Sequence, residues 1–314
     1  MAEKMLSLII PVYFEEEVLF ESFLRMNAAM EATGHPYEII YVNDGSRDGT
    51  MKELRTLAKE HPDVVKVYSF SRNFGHQLAV TCGMDHAKGD ALIIIDVDLQ
   101  DPPELIPKMV ELWKGGADIV YGKRIKRKGE TLFKKLTAKL YYRLLSSMSA
   151  YPIPLDTGDF RLLDRKVANV FLNMREQARF LRGMSAWMGF EAVPIEYVRE
   201  ERAAGKTKYT LKKMIKLALD GIFNFSSKPL ELPFGFGVAL GVLGVLGLAA
   251  MIVLTAIYQS ACPQWLWAVV GGVLLHAVTL CCIGVHGMYL GRMYDELKDR
   301  PLYIVAETLN TEDK

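Results

Sequence analysis

Two aspartates one residue apart, Asp96 and Asp98, follow the uncharged aliphatic run Ala91-Leu92-Ile93-Ile94-Ile95 and precede Gln100. An unbroken aliphatic run suits a strand covered on both faces, and ligands in open α/β sheets gather just beyond the carboxyl ends of such strands. Residues 96 and 98 share a face in an extended chain, so both carboxylates can point to one place, with the Gln100 amide oxygen beyond them. Hard oxygens of this kind suit Mg²⁺ or Mn²⁺ holding a diphosphate, which makes Asp96, Asp98 and Gln100 the candidate metal ligands. In isolation the same pair is also what ends a strand and caps the next helix.

The elements that must position these groups are legible. Strand-like runs at Leu6–Val12, Tyr37–Asn43, Val64–Ser69, Ala91–Asp96 and Asp118–Tyr121 alternate with helix-period segments, the pattern of βαβ units in a mainly parallel sheet. Thr50 followed by Glu53 reads as a capping box, and Asp101-Pro102-Pro103-Glu104 reads as the start of a helix directly after the aspartate pair. Two other strand ends share the same rim. Pro11-Val12-Tyr13-Phe14-Glu15 supplies a ring and a carboxylate, and Asn43-Asp44-Gly45-Ser46 supplies a carboxylate in a glycine turn. Tyr13 can stack on a base, and Glu15 or Asp44 can bond its edge or a ribose. As bare local structure, Asp44-Gly45-Ser46 is a turn and Glu15 to Glu17 an acidic first helical turn. No Rossmann glycine fingerprint follows the first strand, and Gly205-Lys206-Thr207 fails as a P-loop because Glu200 stands where its first glycine belongs.

The 314 residues carry 38 Lys plus Arg against 37 Asp plus Glu, a balance that gives no argument for nucleic acid. Charge vanishes in the last third. No Asp, Glu, Lys or Arg lies between Phe234 and Tyr258 or between Trp265 and Leu290, and each run exceeds the roughly 20 residues that cross a bilayer. The sequence therefore predicts two transmembrane helices, about 232–258 and 265–291, within a hairpin over residues 230–291. Lys228, Arg292, Lys298 and Arg300 flank the hairpin while its connecting loop has no charge, so both termini and the domain over residues 1–225 are expected on the cytoplasmic side. Leu6 to Pro11 is too short and strand-like for a signal core. Cys82, Cys262, Cys281 and Cys282 have neither metal-site nor disulfide-framework spacing. Residues 131–150 and 207–225 place leucines and isoleucines at helical spacing beside lysines, a pattern of interfacial amphipathic helices or of helices packed on a sheet. In the 292–314 tail, Arg300 to Val305 reads as a short strand.

The ordered set Pro11-Val12-Tyr13, Asp44-Gly45-Ser46, Asp96-Val97-Asp98-Leu99-Gln100-Asp101-Pro102-Pro103-Glu104 and Gly122-Lys123-Arg124 resembles the family 2 glycosyltransferases of the GT-A fold. The continuation through Asp156-Thr157-Gly158-Asp159-Phe160-Arg161-Leu162, the Glu201-Arg202 to Lys208-Tyr209 segment and the terminal apolar pair is similar to the polyprenyl-phosphate glycosyltransferases, which include the bactoprenol glucosyltransferases and dolichol-phosphate mannose synthases. Phe14 departs from the Asn that many relatives carry.

The resemblance implies an α/β fold: a GT-A, Rossmann-like, mainly parallel sheet with interfacial helices and a two-helix transmembrane hairpin in the inner membrane. It implies transfer of one sugar from a nucleotide-sugar donor to undecaprenyl phosphate at the cytoplasmic face, by inverting displacement with Mg²⁺ or Mn²⁺. UDP-glucose is the first expectation, ahead of UDP-galactose, GDP-mannose and a UDP-aminoarabinose derivative. By the same resemblance Pro11, Tyr13, Glu15, Asp44, Asp96 and Arg124 face the nucleotide sugar, and Arg124, Arg202 and Lys208 gather the donor and acceptor phosphates. Asp159 is the acid near sugar and acceptor, as base or orienting group, with a turn acid as its plain structural role. The tail implies a homo-oligomer, a tetramer in relatives. Two alternatives share the sheet: a processive polysaccharide synthase, whose Gln-x-x-Arg-Trp segment is approached only by Gln177-Ala178-Arg179-Phe180, and a non-catalytic membrane scaffold.

Overall fold

The computed structural model describes residues 4–127, 157–177, 179–199 and 264–311. Four parallel strands form its centre: β1 (Leu6–Val12), β2 (Tyr37–Asn43), β3 (Val65–Phe70) and β4 (Ala91–Ile94). β1 pairs with both β2 and β4, and β2 with β3. Every residue of β1 and β4 is buried, as aliphatic strands covered on both faces require. Alternation along the strands divides the core in two. Leu6, Leu8 and Ile10 pack under α1 (Leu19–Glu31), α2 (Thr50–Glu60) and α4 (Ile106–Lys114). Ile9, Ile40 and Val42 pack under α3 (His76–His86), α5 (Arg165–Asn173) and α6 (Leu181–Trp187). α3 lies flush on β1 at Gly83, where a Cβ would sit 2.3 Å from the Ile9 side chain.

Three further strands extend the sheet beyond β4. β5 (Ile119–Arg127) and β7 (Ala192–Arg199) are parallel to each other, and β6 (Thr157–Asp164) is inserted antiparallel between β4 and β5. At the opposite edge β8 (Val305–Leu309) adds antiparallel to β3, giving the order β7-β5-β6-β4-β1-β2-β3-β8. The sheet is mixed but mostly parallel.

The predicted limits shift at several ends. The fourth strand stops at Ile94 instead of Asp96: Ile95 still bonds the Ile9 carbonyl at 3.1 Å, after which the chain turns, with Leu99 at φ 55°. The strand predicted at Asp118–Tyr121 runs on to Arg127 because β7 pairs along its length. The tail strand is Val305–Leu309, not Arg300 to Val305; Tyr303 instead stacks on Phe70 at 5.1 Å between ring centres.

The second predicted span falls in one 34-residue helix, α7 (Gln264–Leu297). Among the described residues no helix is long and apolar enough to cross a membrane. The first span (232–258), the 131–150 and 207–225 segments, Arg202 and Lys208 lie outside the described residues.

Candidate active site

Beyond β4 the alternation of side chains continues into the turn. Ile95, Val97 and Leu99 stay buried while Asp96, Asp98 and Gln100 come partly to the surface at the carboxyl rim of the sheet, which is the convergence expected from their spacing. Asp98 Oδ1 accepts the Gln100 amide at 3.2 Å, which fixes the turn. Burial pushes Asp96 up to about 6, and the negative charges of Asp159, Asp98 and Asp101 add to this against the opposing charge of His76.

Among the described residues no three His, Cys, Asp or Glu side chains form a complete metal cluster. A divalent ion of the magnesium type does not need one, since it is held by one or two carboxylates and completes its shell with water and substrate phosphates. Hard oxygens at one rim, in a crowd of acids that raises Asp96, fit such an ion. Asp96, Asp98 and Gln100 would hold it.

Asp159 emerges from β6 opposite this pair and is 7% exposed. Arg182 of α6 grips it with two prongs, Nε to Oδ1 at 2.9 Å and Nη2 to Oδ2 at 3.2 Å. His76, the first residue of α3, stands 3.1 Å from Asp159 Oδ2 and 3.8 Å from Asp96 Oδ1. Arg161 lies 3.9 Å from Asp159 and donates to the carbonyls of Gly158 and Leu181 and to Ser185 Oγ. Burial would raise Asp159, yet Arg182 and His76 hold it well below the usual carboxylate range. Burial likewise disfavours the His76 imidazolium, but the bond to Asp159 and the charge of Asp96 outweigh it and push His76 up to about 9. At neutral pH the imidazolium Nε2–H therefore donates to Asp159.

Arg124 is anchored by a second cluster. It sits on β5 opposite Tyr197 of β7, donates through Nε to Tyr197 Oη at 3.0 Å, and reaches both oxygens of the fully buried Asp101 through Nη2 at 3.2 and 3.3 Å. Tyr197 Oη donates to Asp101 Oδ1. Burial disfavours the guanidinium, but the Asp101 charge raises its pKa overall. Gly158 leaves room for this hold: a Cβ there would be 2.2 Å from Arg124 Nη2.

The first two strand ends are tied together. Pro11 is buried inside β1 opposite Val42. Tyr13 lies edge-on to Phe14, 4.4 Å between ring centres. Phe14 adopts φ 57°, a left-handed conformation uncommon for a bulky residue and in which Asn is several-fold enriched. The Phe14 and Glu15 amides donate to Ser46 Oγ and Thr50 Oγ1, each at 3.0 Å. Asp44, expected to bond a base or ribose, instead has both oxygens engaged by the next loop. Oδ1 accepts Phe74 N at 2.7 Å and Gly75 N at 3.1 Å, and Oδ2 accepts Asn73 Nδ2 at 2.8 Å and Gly75 N at 3.0 Å. Gly75, at φ 110°, caps α3 and delivers His76 to the rim.

The structure thus gathers Asp96, Asp98, Gln100, Asp159 and Arg124 around one end of the sheet, with Tyr13 and Glu15 at the adjoining strand end. His76, Arg161, Arg182 and Tyr197 escape sequence reasoning. No spacing rule links them to the aspartates, and the available signal is a lone polar residue in an apolar setting, such as Arg182 within Phe180-Leu181-Arg182-Gly183.

Comparison with known proteins shows the family. The Glycosyl transferase family 2 profile matches residues 7–171. The "Uncharacterized glycosyltransferase YkcC" of Bacillus subtilis (strain 168) is 49% identical over 308 residues, 98% of this chain and 95% of that protein. The SfII prophage-derived bactoprenol glucosyl transferase of Shigella flexneri is 39% identical over 303 residues, 96% of this chain and 98% of that protein. Among solved structures, the mannosyltransferase PcManGT from Pyrobaculum calidifontis in complex with GDP-Man and Mn2+ is similar at TM-score 0.45 and 17% identity, covering 90% of this chain and 88% of that one. The match over the sheet and its rim, carried by relatives that align from end to end, places the chain in glycosyl transferase family 2, as a glycosyltransferase of GT-A-like fold.

Proposed function

We propose that this glycosyltransferase moves a single sugar from a nucleotide diphosphate, UDP-glucose first, to undecaprenyl phosphate at the cytoplasmic face of the inner membrane. The observation that carries this reading is the extent of similarity to the Shigella bactoprenol glucosyl transferase. It covers 96% of this chain and so runs past the family 2 region, which ends at residue 171, into the uncharged runs of the last third. Two such runs, each long enough to reach across a bilayer, suit an enzyme whose acceptor lies in the membrane. Trp265, Leu275 and Leu290 on α7 are exposed, each by more than 60%, as suits a helix bathed in lipid. The lysines at 131–150 and 207–225 suit anionic headgroups.

At the rim, Asp96, Asp98 and Gln100 would hold Mg²⁺ or Mn²⁺, whose chemistry there would be to offset the negative charge of the departing diphosphate. Tyr13 and Glu15 take the nucleotide. The acceptor is a phosphate monoester with a second pKa of about 6 and is already largely dianionic at neutral pH. It needs placement more than proton removal, which suits an ionised Asp159 that orients. Arg124, Arg202 and Lys208 bring the two anions together, and direct displacement inverts the anomeric carbon. The enzyme works as a homo-oligomer with both termini in the cytoplasm. UDP-galactose, GDP-mannose or a UDP-aminoarabinose derivative is the alternative donor.

The test is to supply membranes containing the protein with undecaprenyl phosphate, Mg²⁺ or Mn²⁺ and each donor in turn, and to analyse the lipid fraction by mass. A monoglycosylated polyprenyl phosphate is expected. No sugar-lipid from any donor overturns the proposal, and a long polymer points to a processive synthase instead.

A further inference from the structure

Asp159 is held from two directions by elements that nothing in the sequence connects. Arg182 places Nε and Nη2 on its two oxygens at 2.9 and 3.2 Å, and His76 Nε2 meets Oδ2 at 3.1 Å. These three contacts fill three of the roughly four lone-pair directions of a carboxylate and set its plane. The supports are themselves fixed. Gln77 Oε1 accepts the Leu181 amide at 3.0 Å, which joins the start of α3 to the start of α6. Ser185 Oγ, one turn further along α6, accepts from Arg161 of β6 and donates to the Leu181 carbonyl at 2.6 Å. His76 then reaches across to Asp96 Oδ1 at 3.8 Å, so one imidazole spans the gap between the acid of β6 and the acid beyond β4.

We propose that Arg182 and His76 are positioning residues of the transfer reaction: Arg182 fixes the plane of the Asp159 carboxylate, and His76 sets its distance from the Asp96–Asp98 pair. The inference rests on the transferase reading above. Its chemical content is that the diphosphate side and the acceptor side of the site are held at one separation by side chains that touch neither substrate. Misplacement of about 1 Å is enough to slow a positioned reaction about 100-fold. Lysine cannot stand in for Arg182, because one ammonium cannot make the parallel two-pronged contact.

The experiment uses the full-length protein in membranes and compares wild type with Arg182→Gln, Arg182→Lys, His76→Gln, Asp159→Asn and the Asp159→Asn/Arg182→Gln double variant, with kcat and donor KM measured separately. Arg182→Gln is expected to lower kcat about 10- to 100-fold, with donor KM within about threefold of wild type and no recovery in Arg182→Lys. The double variant is expected to be no slower than Asp159→Asn, because both changes break one contact. Wild-type kcat in Arg182→Gln or Arg182→Lys, a defect confined to KM, or full additivity in the double variant overturns the inference. Should Arg182→Gln lose its melting transition, His76→Gln carries the same test: a fall in kcat at unchanged melting temperature supports the inference, and wild-type kcat overturns it. A wild-type protein that makes no sugar-lipid removes the transferase reading and this inference with it, whereas an active wild type with additive variants removes this inference alone.

Discussion

Replacing Asp44 by alanine separates two roles that the sequence leaves joined. The side chain is 3% exposed, and its loss strips the acceptor from the Phe74 amide at 2.7 Å and the Gly75 amide at 3.0 to 3.1 Å. A fully buried donor left orphaned costs about 1 to 3 kcal/mol, an upper bound for each of these part-buried amides. Part of that is offset because Asp44 is a carboxylate whose pKa burial raises, against the Phe74 and Gly75 amides that favour its charged form. The net expectation is a loss of about 2 to 4 kcal/mol, which for a domain of roughly 200 residues lowers Tm by about 5 to 15 °C. Asp44→Asn keeps one oxygen for the two amides but turns its NH₂ toward the Asn73 NH₂, donor against donor until the Asn73 amide turns over, and is expected to lose less than Asp44→Ala does. The assay is thermal unfolding of the detergent-solubilised protein beside calorimetric binding of UDP-glucose. Because Gly75 leads directly into His76, transfer is expected to fall along with Tm in Asp44→Ala. An Asp44→Ala protein that melts within 1 °C of wild type but no longer binds the nucleotide refutes the reasoning, and would make Asp44 a ligand contact alone.

Gly158→Ala drives a Cβ to 2.2 Å from Arg124 Nη2, against a guanidinium already held by Asp101 and Tyr197. Transfer is expected to fall at least about tenfold at normal protein abundance, and wild-type turnover contradicts the placement of Arg124. At the far edge, Asn310 Nδ2 donates to the Ala58 carbonyl at 2.6 Å and the Val65 carbonyl at 2.9 Å with its own φ at 54°. Asn310→Ala is expected to cost about 1 to 3 kcal/mol, seen as faster amide hydrogen exchange in β8 and β3 while exchange in β1 and β4 stays unchanged.

The parts of this molecule written in local pattern were legible from sequence. β1 and β2 begin and end where the apolar runs do, at Leu6–Val12 and Tyr37–Asn43, because a strand covered on both faces is built of apolar residues and the flanking turns are cut by aromatic, acidic and glycine residues; the one charge inside them, Glu38, is buried against Lys66 of β3. The outward parity of Asp96, Asp98 and Gln100 follows from the same two-residue period. The antiparallel insertion of β6 between β4 and β5 depends on pairing across more than 60 residues, such as Leu92 with Leu163, which no local period encodes. The tail strand β8 is short and half exposed, so it carries too little hydrophobic signal to place its ends. Asp159 could be singled out by resemblance, but its holders could not. His76 and Arg182 meet Asp159 only once α3 and α6 pack into one apolar cluster, where Gln77 Oε1 accepts the Leu181 amide. The structural role of Asp44 was not legible, because a turn aspartate and a ligand aspartate are written alike and only the fold shows the Phe74 and Gly75 amides that it holds.

The most direct measurement of the central claim is the mass of the lipid product formed by wild type and by Asp98→Asn, at equal abundance in membranes given UDP-glucose, undecaprenyl phosphate and Mg²⁺ or Mn²⁺. Wild type is expected to yield a polyprenyl phosphate one hexose heavier than the acceptor, and Asp98→Asn to yield none. Equal product from both contradicts the assignment of Asp98 to the diphosphate site.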